Sequence, residues 1–253
     1  MSTTNQRVAF ITGGNRGLGL QTAIELAKLP ITVILGSRDL AKGEAAAKKL
    51  RSDGKEVEVI AFDVTDPVSH QRAFDYFDSR YGKLDILVNN AAIWRESADA
   101  SHLIPDKNRT SSVPLNVLRE TFETNFFATV ALTQALLPLI HRAPAGRIVN
   151  VSSSMGSLTL HSDPSSKVYH HKVFGYDASK TALNAFTVHL ADELRDTKIK
   201  VNSADPGWVK TDMGGAGADL EITEGGKTSA QLATLSDDGP TGGFFHMGES
   251  LPW

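Results

Sequence analysis

The chain has 253 residues, of which 41% are hydrophobic and 22% charged, so a disordered chain is excluded and one globular domain is favoured over two large ones. A net charge of −3 excludes the basic surface of a nucleic-acid or anionic-membrane binder, and the absence of Cys excludes disulfides and thiolate chemistry. We therefore expect a small-molecule partner and a reducing, cytoplasmic location.

Neither export nor membrane insertion is predicted. The polar residues 1–7 lead into an apolar stretch that is too short for a secretory signal. The longest apolar-rich run, residues 126–140, contains polar residues and is shorter than the roughly 20 residues that span a bilayer. We expect a soluble protein with no membrane partner.

Strands and helices are predicted to alternate along the chain. Continuous apolar runs, typical of parallel strands covered on both faces, predict strands at residues 8–11, 31–35, 57–62, 84–88, 147–151 and 199–202. Apolar residues at three-to-four spacing predict helices at residues 18–28, 40–51, 68–81, 115–141 and 178–195, with Asp39 and Asp66 as N-caps. This order predicts an α/β fold, a Rossmann-type doubly wound parallel sheet with helices on both faces, in one domain over residues 1–253.

Three irregular segments interrupt the alternation. Residues 94–114 and 154–175 follow predicted strands, and residues 212–227 are rich in glycine. Long loops of this kind frequently carry function, so we expect them to form the substrate site and a lid. Ordinary surface loops are the alternative.

A glycine-rich motif, TGGNRGLG, stands between the first predicted strand and the first predicted helix. Glycines here let the backbone turn tightly and let a pyrophosphate approach the helix N-terminus, whose free N–H groups attract anions. A plain structural turn is the alternative. The motif predicts dinucleotide contacts at Gly13, Asn15, Arg16, Gly17, Leu18 and Gly19.

The second predicted strand ends where dinucleotide folds meet the adenosine ribose. An acidic residue here would favour NAD, but Arg38 is the first ionisable residue after the strand, and Arg16 lies in the glycine motif. Two guanidinium groups that converge on a 2′-phosphate predict NADPH/NADP as cofactor. Because Asp39 stands next to Arg38, an alternative stays open in which both arginines are solvated surface residues.

Tyr176 and Lys180 stand four residues apart, which places them on one face of a helix. A neighbouring ammonium is expected to lower the pKa of the phenol towards neutrality, so that the phenol works as general acid and base. Ser153 follows the fifth predicted strand, where its hydroxyl would hydrogen-bond the oxygen of a reacting carbonyl. Ser152 and Ser154 are nearby alternatives.

These motifs together resemble the short-chain dehydrogenase/reductase superfamily, from Arg7 to near the C-terminus. The resemblance extends to NNAA at residues 89–92, NVSS at residues 150–153 and PGWVKTD at residues 206–212. It implies cofactor contacts at Asp63, Val64, Asn90, Ala91, Tyr176, Lys180, Pro206, Gly207, Val209 and Thr211.

The same resemblance implies a catalytic tetrad of Asn125, Ser153, Tyr176 and Lys180. In it, Tyr176 donates the proton and Ser153 polarises the carbonyl. Lys180 binds the nicotinamide ribose, and Asn125 holds a relay water.

Within the superfamily, the sequence is most similar to the NADPH-dependent carbonyl reductases, through segments such as GGNRGLGL, TNFFAT and PGWVKTDMGG. This similarity supports Arg38 as the ligand of the 2′-phosphate. NNAA replaces the usual NNAG, a small change with which the cofactor site should survive. The segment from Ser153 to Tyr176 is longer than in compact members and shorter than in the monomeric carbonyl reductases, so monomer, dimer and tetramer all stay open.

The substrate side is predicted from aromatic and sulfur-containing residues. Trp94, Trp208 and Met213 flank the cofactor motifs and, with Ser153, would line a pocket for flat apolar carbonyl compounds. Core packing is an equal alternative for Trp208. The histidines before Tyr176 are interpreted as a polar rim, and no metal site is predicted.

The sequence thus predicts an NADPH-dependent carbonyl reductase that converts a ketone, aldehyde or quinone to an alcohol. Two alternatives stay open: an NAD(P)-dependent alcohol dehydrogenase that works oxidatively, and a non-catalytic dinucleotide-binding redox sensor.

Overall fold

The computed structural model of the protein describes residues 6–95 and 110–253. Its strands are β1 (Arg7–Thr12), β2 (Ile31–Ser37), β3 (Val57–Ala61), β4 (Ile86–Asn89), β5 (Arg147–Val151), β6 (Lys200–Ala204), β7 (Phe244–His246) and β8 (Glu249–Ser250). Its helices are α1 (Gly17–Leu26), α2 (Leu40–Ser52), α3 (Pro67–Tyr81), α4 (Leu115–Phe122), α5 (Ala128–His141), α6 (Leu158–Ser162), α7 (Phe174–Glu193), α8 (Ile222–Gly225) and α9 (Lys227–Ala233). Within these ranges, no helix has both the length and the apolar character that crossing a membrane requires.

The strands form one sheet in the order β3-β2-β1-β4-β5-β6-β7-β8. Strands β1 to β7 are parallel, and β8 pairs with β7 in the antiparallel direction. Because β1 lies between β2 and β4, the direction in which strands are added reverses there. Ligands of doubly wound sheets bind at such a switch point, outside the carboxyl ends of the strands. The predicted fold is confirmed.

Successive side chains of β1 belong to two separate core clusters. Val8 and Phe10 pack with residues of α3, α5 and α7. Ala9 and Ile11 pack with residues of α1, α2 and α9. Since neighbouring side chains of a strand point to opposite faces of the sheet, helices cover both faces.

Both predicted N-caps are present. The carboxylate of Asp39 accepts a hydrogen bond from the backbone N–H of Lys42 at 3.1 Å, at the start of α2. The carboxylate of Asp66 accepts one from the N–H of Val68 at 3.0 Å, at the start of α3. Each cap satisfies a backbone donor that the first helical turn leaves without an intrahelical partner.

The prediction of one continuous helix over residues 115–141 is wrong. A π-helical turn, Glu123–Phe127, separates α4 from α5, and the N–H of Ala128 donates to the carbonyl of Glu123, five residues earlier. One inserted residue leaves the apolar spacing on each side intact, so periodicity did not reveal it.

The predicted irregular segments contain more regular structure than expected. Residues 154–175 include a 3₁₀ turn, Ser154–Gly156, and α6, while α7 begins at Phe174 rather than Ala178. Residues 212–227 include α8. Most of the first segment, residues 96–109, lies outside the described residues.

Candidate active site

A cavity of about 1920 Å³ opens at the carboxyl ends of the parallel strands. Pockets for one small ligand usually measure about 300–1,000 Å³, so this volume fits a dinucleotide together with a second molecule. All predicted site residues lie in the described part of the chain, and all except Gly19 and Asn125 line the cavity: Gly13, Asn15, Arg16, Gly17, Leu18, Arg38, Asp63, Val64, Asn90, Ala91, Trp94, Ser153, Tyr176, Lys180, Pro206, Gly207, Trp208, Val209, Thr211 and Met213.

The glycine loop between β1 and α1 has the backbone that its sequence predicts. Gly13 and Gly17 have φ values of 64° and 55°, in the left-handed region that favours glycine. Gly19 serves packing instead, because a Cβ there would lie 2.6 Å from the carbonyl oxygen of Gly13 and 2.5 Å from Nδ2 of Asn90. The loop therefore leaves an open cradle at the N-terminus of α1, which is where a pyrophosphate binds in such folds.

Thr12 joins the glycine loop to the end of β4. Its Oγ1 accepts hydrogen bonds from the backbone N–H groups of Asn90 at 3.0 Å and Ala91 at 2.9 Å. The side-chain amide of Asn90 donates to the carbonyl of Thr12 at 2.8 Å. The predicted contact residues Asn90 and Ala91 are thus held in fixed register with the loop.

At the end of β2, a basic side chain is exposed on the cavity wall and the acidic one beside it is engaged. Arg38 is exposed, and Lys42 lines the same part of the cavity. The carboxylate of Asp39 caps α2, and the backbone N–H of Lys42 that it accepts holds the pKa of Asp39 below its usual value. This arrangement favours a phosphate over a ribose hydroxyl, because the exposed guanidinium of Arg38 matches a phosphate, whereas the carboxylate of Asp39 is directed at the backbone of α2.

Arg16 pairs with an acidic side chain in this structure, although it lines the same cavity as Arg38. Its Nη1 lies 2.7 Å from Oδ2 of Asp212, and both side chains are exposed. The pair joins the glycine loop to the segment after β6 across the cavity. The contact of Arg16 with a 2′-phosphate stays a prediction.

The segment after β6 forms the opposite wall. Gly207 has a φ of 78°, and a Cβ at this position would lie 2.6 Å from Cδ1 of Leu220 and 2.9 Å from Cε1 of His246. Trp208 is 53% exposed, and its indole N–H donates to the carbonyl of Gly214 at 2.8 Å. Trp208 therefore belongs to the cavity wall and not to the core, which decides between the two readings of the sequence.

Tyr176 and Lys180 lie one turn apart on α7, both buried, at the centre of the cavity. The Lys180 ammonium nitrogen lies 5.6 Å from the centroid of the Tyr176 ring and donates to the carbonyl of Val151 at 2.7 Å. Burial lowers the pKa of Lys180 from 10.5 to about 7. The carbonyl at the end of β5 thus holds the lysine next to the phenol ring.

The expected lowering of the pKa of Tyr176 is wrong for the protein chain by itself. Burial raises the pKa of the phenol above its usual value, and a hydrogen bond with Ser153 opposes this rise only in part. The charges of Asp205 and Asp177 raise it further. A phenol that stays protonated is the form that donates a proton to a carbonyl oxygen.

The structure distinguishes the three neighbouring serines after β5. The side chain of Ser153 lies close enough to Tyr176 to lower the pKa of its phenol, and its Oγ accepts the N–H of Met155 at 3.2 Å. The hydroxyl of Ser152 is buried and has no hydrogen-bond partner within residues 6–95 and 110–253. The assignment of Ser153 as the serine beside the phenol is thus supported by contact as well as by sequence.

Asn125 lies in the π-helical turn and does not line the cavity. Its side-chain amide donates to the carbonyl of Ile93 at 2.9 Å and to Oγ of Ser179 at 3.1 Å, and its Oδ1 accepts the N–H of Ile93 at 2.8 Å. The residue therefore joins three elements: the π turn, the chain after β4, and α7. Both amide hydrogens are used in these contacts.

Trp94 provides an aromatic wall next to the phenol. Its ring lies against the ring of Tyr176 in a stacked arrangement, and Met213 and Trp208 line the same cavity. The histidines before α7 do not form a metal site, because no group of three or more potential ligands occurs in the described ranges. His161 instead directs Nε2 at the carbonyl of Met155 at 2.8 Å.

Sequence reasoning missed a pair of titratable groups in this cavity. Asp205, directly before Pro206, is buried, and its carboxylate lies 3.2 Å from Nδ1 of His246 on β7. The position of Asp205 beside a recognised motif was an available signal. His246 had none, because the short strand β7 was not predicted.

Comparisons with known proteins agree with this geometry. The family described as short chain dehydrogenase matches residues 7–219. Salutaridine reductase of Papaver bracteatum is 32% identical, with 98% of this chain and 96% of the relative covered. Human carbonyl reductase [NADPH] 1 is 33% identical, with 94% and 95% covered. The crystal structure of NADPH-bound carbonyl reductase from chicken fatty liver superposes with a TM-score of 0.83 at 27% identity, with 100% of this chain and 96% of that chain covered.

Proposed function

The chain belongs to the short-chain dehydrogenase family and is an oxidoreductase that acts on carbonyl or alcohol groups, and we propose that it reduces a ketone, aldehyde or quinone with NADPH. The observation that carries this proposal is that the buried Tyr176 and Lys180 and the half-buried Ser153 line one cavity together with the open glycine cradle. Two relatives that bear reductase names support it.

The residues present fit a dinucleotide. The glycine loop has no Cβ atoms at Gly13 and Gly17 and ends at the N-terminus of α1, so the pyrophosphate would lie there. Asp63, Val64, Asn90 and Ala91 would contact the adenosine half. Their lining of one continuous cavity supports this assignment.

We assign the nicotinamide half to the opposite wall. Pro206, Gly207, Val209 and Thr211 line this end of the cavity, and Lys180 would bind the ribose beside them. When bound, the cofactor supplies a hydride to the carbonyl carbon. Arg38, with Lys42 beside it, would bind the 2′-phosphate that distinguishes NADPH from NADH.

The chain's own residues supply the proton and hold the carbonyl. Ser153 donates a hydrogen bond to the carbonyl oxygen, and Tyr176 transfers its phenolic proton to the same oxygen as negative charge develops there. The high pKa of the buried phenol keeps this proton available over the physiological range. Lys180, held by the carbonyl of Val151 with its nitrogen 5.6 Å from the centre of the phenol ring, would then stabilise the phenolate that remains.

We propose that Asn125 positions the catalytic residues from outside the cavity. Because both hydrogens of its amide donate to Ile93 and Ser179, a relay water at this residue would be held by an oxygen acceptor rather than by the amide nitrogen. The π turn places the residue between the end of β4 and α7, so its loss would loosen both.

Titration of the purified protein with NADPH and separately with NADH, followed by nicotinamide fluorescence, tests this function. A panel of ketones, aldehydes and quinones is then added to both mixtures. We expect tighter binding of NADPH and carbonyl-dependent oxidation. Preference for NADH would contradict the role of Arg38, and tight NADPH binding without oxidation of any mixture would favour a dinucleotide sensor.

A further inference from the structure

We propose that Asp205, paired with His246, is a positioning residue for the reaction: its carboxylate holds the turn that carries Ser153, and its charge favours the protonated phenol of Tyr176. The inference rests on the proposed function. It adds a role to two residues that neither the motifs nor the catalytic tetrad include.

The first part of the argument is the contact between Asp205 and the serine turn. Oδ1 of Asp205 accepts the backbone N–H of Ser154 at 2.8 Å, and this N–H follows directly on Ser153. The backbone of Asp205 is itself fixed, because its N–H donates to the carbonyl of Phe245 at 2.8 Å. The end of β6 thus anchors the turn after β5 through one carboxylate oxygen.

The second part is the pairing of the other carboxylate oxygen with β7. Oδ2 lies 3.2 Å from Nδ1 of His246, and the same nitrogen lies 3.1 Å from the backbone oxygen of Asp205. The hydrogen bond with the carboxylate raises the pKa of His246 above its usual value. The ring packs over Gly207, where a Cβ would lie 2.9 Å from Cε1, so the histidine is held against the cavity wall.

A chain of contacts therefore leads from β7 to the phenol. His246 pairs with Asp205, Asp205 binds the N–H of Ser154, and the preceding Ser153 lines the cavity beside Tyr176 and lowers the pKa of its phenol. Asp205, His246, Ser153, Ser154 and Tyr176 all line the same cavity. A shift of about 1 Å in a group that contacts the reacting atoms can slow a reaction about 100-fold, so an anchor for this turn bears on rate.

The charge of Asp205 acts in a buried setting. The ammonium nitrogen of Lys180 lies 5.6 Å from the centroid of the Tyr176 ring, Asp205 lines the same cavity, and the charges of Asp205 and Asp177 both raise the pKa of the phenol. The carboxylate of Asp177 accepts the N–H of Val173 at 2.8 Å, directly before α7, and lies 3.3 Å from Nε2 of His161. Its charge is therefore already engaged by these two groups. A carboxylate near a buried phenol opposes formation of the phenolate, which raises the pKa of the phenol.

The direction of this effect favours carbonyl reduction. Reduction needs the protonated phenol, which gives its proton to the carbonyl oxygen as hydride reaches the carbon. Alcohol oxidation needs the phenolate, which removes the hydroxyl proton. A negative charge beside the phenol therefore widens the pH range of reduction on its alkaline side. It also moves the pH at which oxidation begins to a higher value.

Two substitutions separate the anchor from the charge. Asp205→Asn keeps an oxygen that accepts the N–H of Ser154 but removes the charge, whereas Asp205→Ala removes both. Asp66→Asn is the matched control, because Asp66 also accepts a backbone N–H but is half-buried and lies at the start of α3, outside the residues that line the cavity. Thermal unfolding and NADPH affinity are measured for each variant.

Readouts that do not depend on activity come first. The sequence contains four tyrosines, so labelling tyrosine with ¹³C at Cζ gives few NMR resonances. The resonance that is missing in Tyr176→Phe is assigned to Tyr176. We expect Tyr176 to begin to ionise at lower pH in Asp205→Asn than in the unmodified protein. We also expect amide exchange at Ser154 to be slow in the unmodified protein and in Asp205→Asn, and fast in Asp205→Ala.

The kinetic readouts follow. We expect kcat for reduction to fall roughly tenfold or more in Asp205→Ala and to be largely restored in Asp205→Asn at neutral pH. In Asp205→Asn, the alkaline limit of reduction should move down by about one pH unit, and oxidation of the alcohol product should extend to lower pH by a similar amount. Asp66→Asn should change neither profile.

The proposal requires both parts and fails separately from the proposed function. Equal Ser154 exchange in Asp205→Ala and the unmodified protein would overturn it, and so would an unchanged Tyr176 resonance in Asp205→Asn. A protein that binds NADPH but reduces no carbonyl would refute the proposed reaction, and the two NMR measurements would still decide the role of Asp205.

Discussion

The indole ring of Trp94 lies nearly parallel to the phenol ring of Tyr176, with centroids 5.2 Å apart and 18° between the ring planes. The indole covers one side of the group that we propose as the proton donor. Water that would otherwise solvate this side is excluded, which contributes to the burial that raises the pKa of the phenol. Trp94 also presents a flat surface to the cavity.

We expect Trp94→Ala to lower kcat/KM for flat aromatic ketones about three- to tenfold, because a stacking surface next to the reaction centre is lost. Trp94→Phe keeps an aromatic ring and should retain most of the activity. The comparison uses an aromatic and a small aliphatic ketone with each variant. An equal loss for both ketones would contradict a role of Trp94 in substrate preference.

Tyr176→Phe is expected to lower the rate of carbonyl reduction by at least about 100-fold, because the proton donor is removed while the ring and its stacking on Trp94 remain. NADPH binding, followed by nicotinamide fluorescence, should stay measurable. Turnover retained in this variant would refute the role of the phenol.

Arg38→Gln is expected to weaken NADPH binding about 10- to 100-fold, because a charge-assisted contact with the 2′-phosphate is lost. NADH binding should change little. Arg16→Gln is the matched comparison, because Arg16 already pairs with Asp212. If both substitutions weakened NADPH equally, the two arginines would share the phosphate as the sequence predicts.

The buried Lys180 should make stability depend on pH. Its pKa is about 7 in the folded protein and 10.5 in an ordinary environment, so between these values the unfolded chain binds a proton that the folded chain does not. The contribution of Lys180 to the free energy of unfolding therefore rises with pH between these two pKa values. Urea unfolding at several pH values from 7 to about 9 measures it against Lys180→Met, which does not titrate. A stability difference that stays constant with pH would contradict a lowered pKa.

Gly19→Ala is expected to destabilise the fold by about 1–3 kcal/mol, because its Cβ would overlap the backbone oxygen of Gly13. Gly217→Ala is the control, since that residue is exposed and a Cβ there meets no atom within 4 Å. Both are measured by chemical denaturation. A loss of NADPH affinity in Gly19→Ala without a loss of stability would contradict a packing role.

The sheet was predictable because its parallel strands carry a strong local signal. The runs that form β1 and β2 are continuously apolar, and the caps Asp39 and Asp66 stand directly before their helices. β7 and β8 were missed because strands of three and two residues carry too few side chains to show a period.

The site was predictable as far as its residues lie in motifs. Ser153 follows β5, and Tyr176 and Lys180 lie on α7, which the hydrogen bond from Lys180 to the carbonyl of Val151 holds against the end of that strand. The pairing of Asp205 with His246 joins residues far apart in sequence, so spacing gave no indication of it. Burial, which decides the direction of the pKa of Tyr176, is likewise a property of the packed fold and not of local sequence.

The engagement of Asp39 as the cap of α2 has a consequence for engineering cofactor preference. A carboxylate at the end of β2 does not by itself make the protein accept NADH, since this carboxylate is committed to the backbone of its own helix. A rotamer that turned the carboxylate away from the N–H of Lys42 would uncap α2, at a loss of roughly 1 kcal/mol in stability. A change of cofactor that redirects this side chain would therefore require a second capping residue, which links cofactor preference to the stability of the helix.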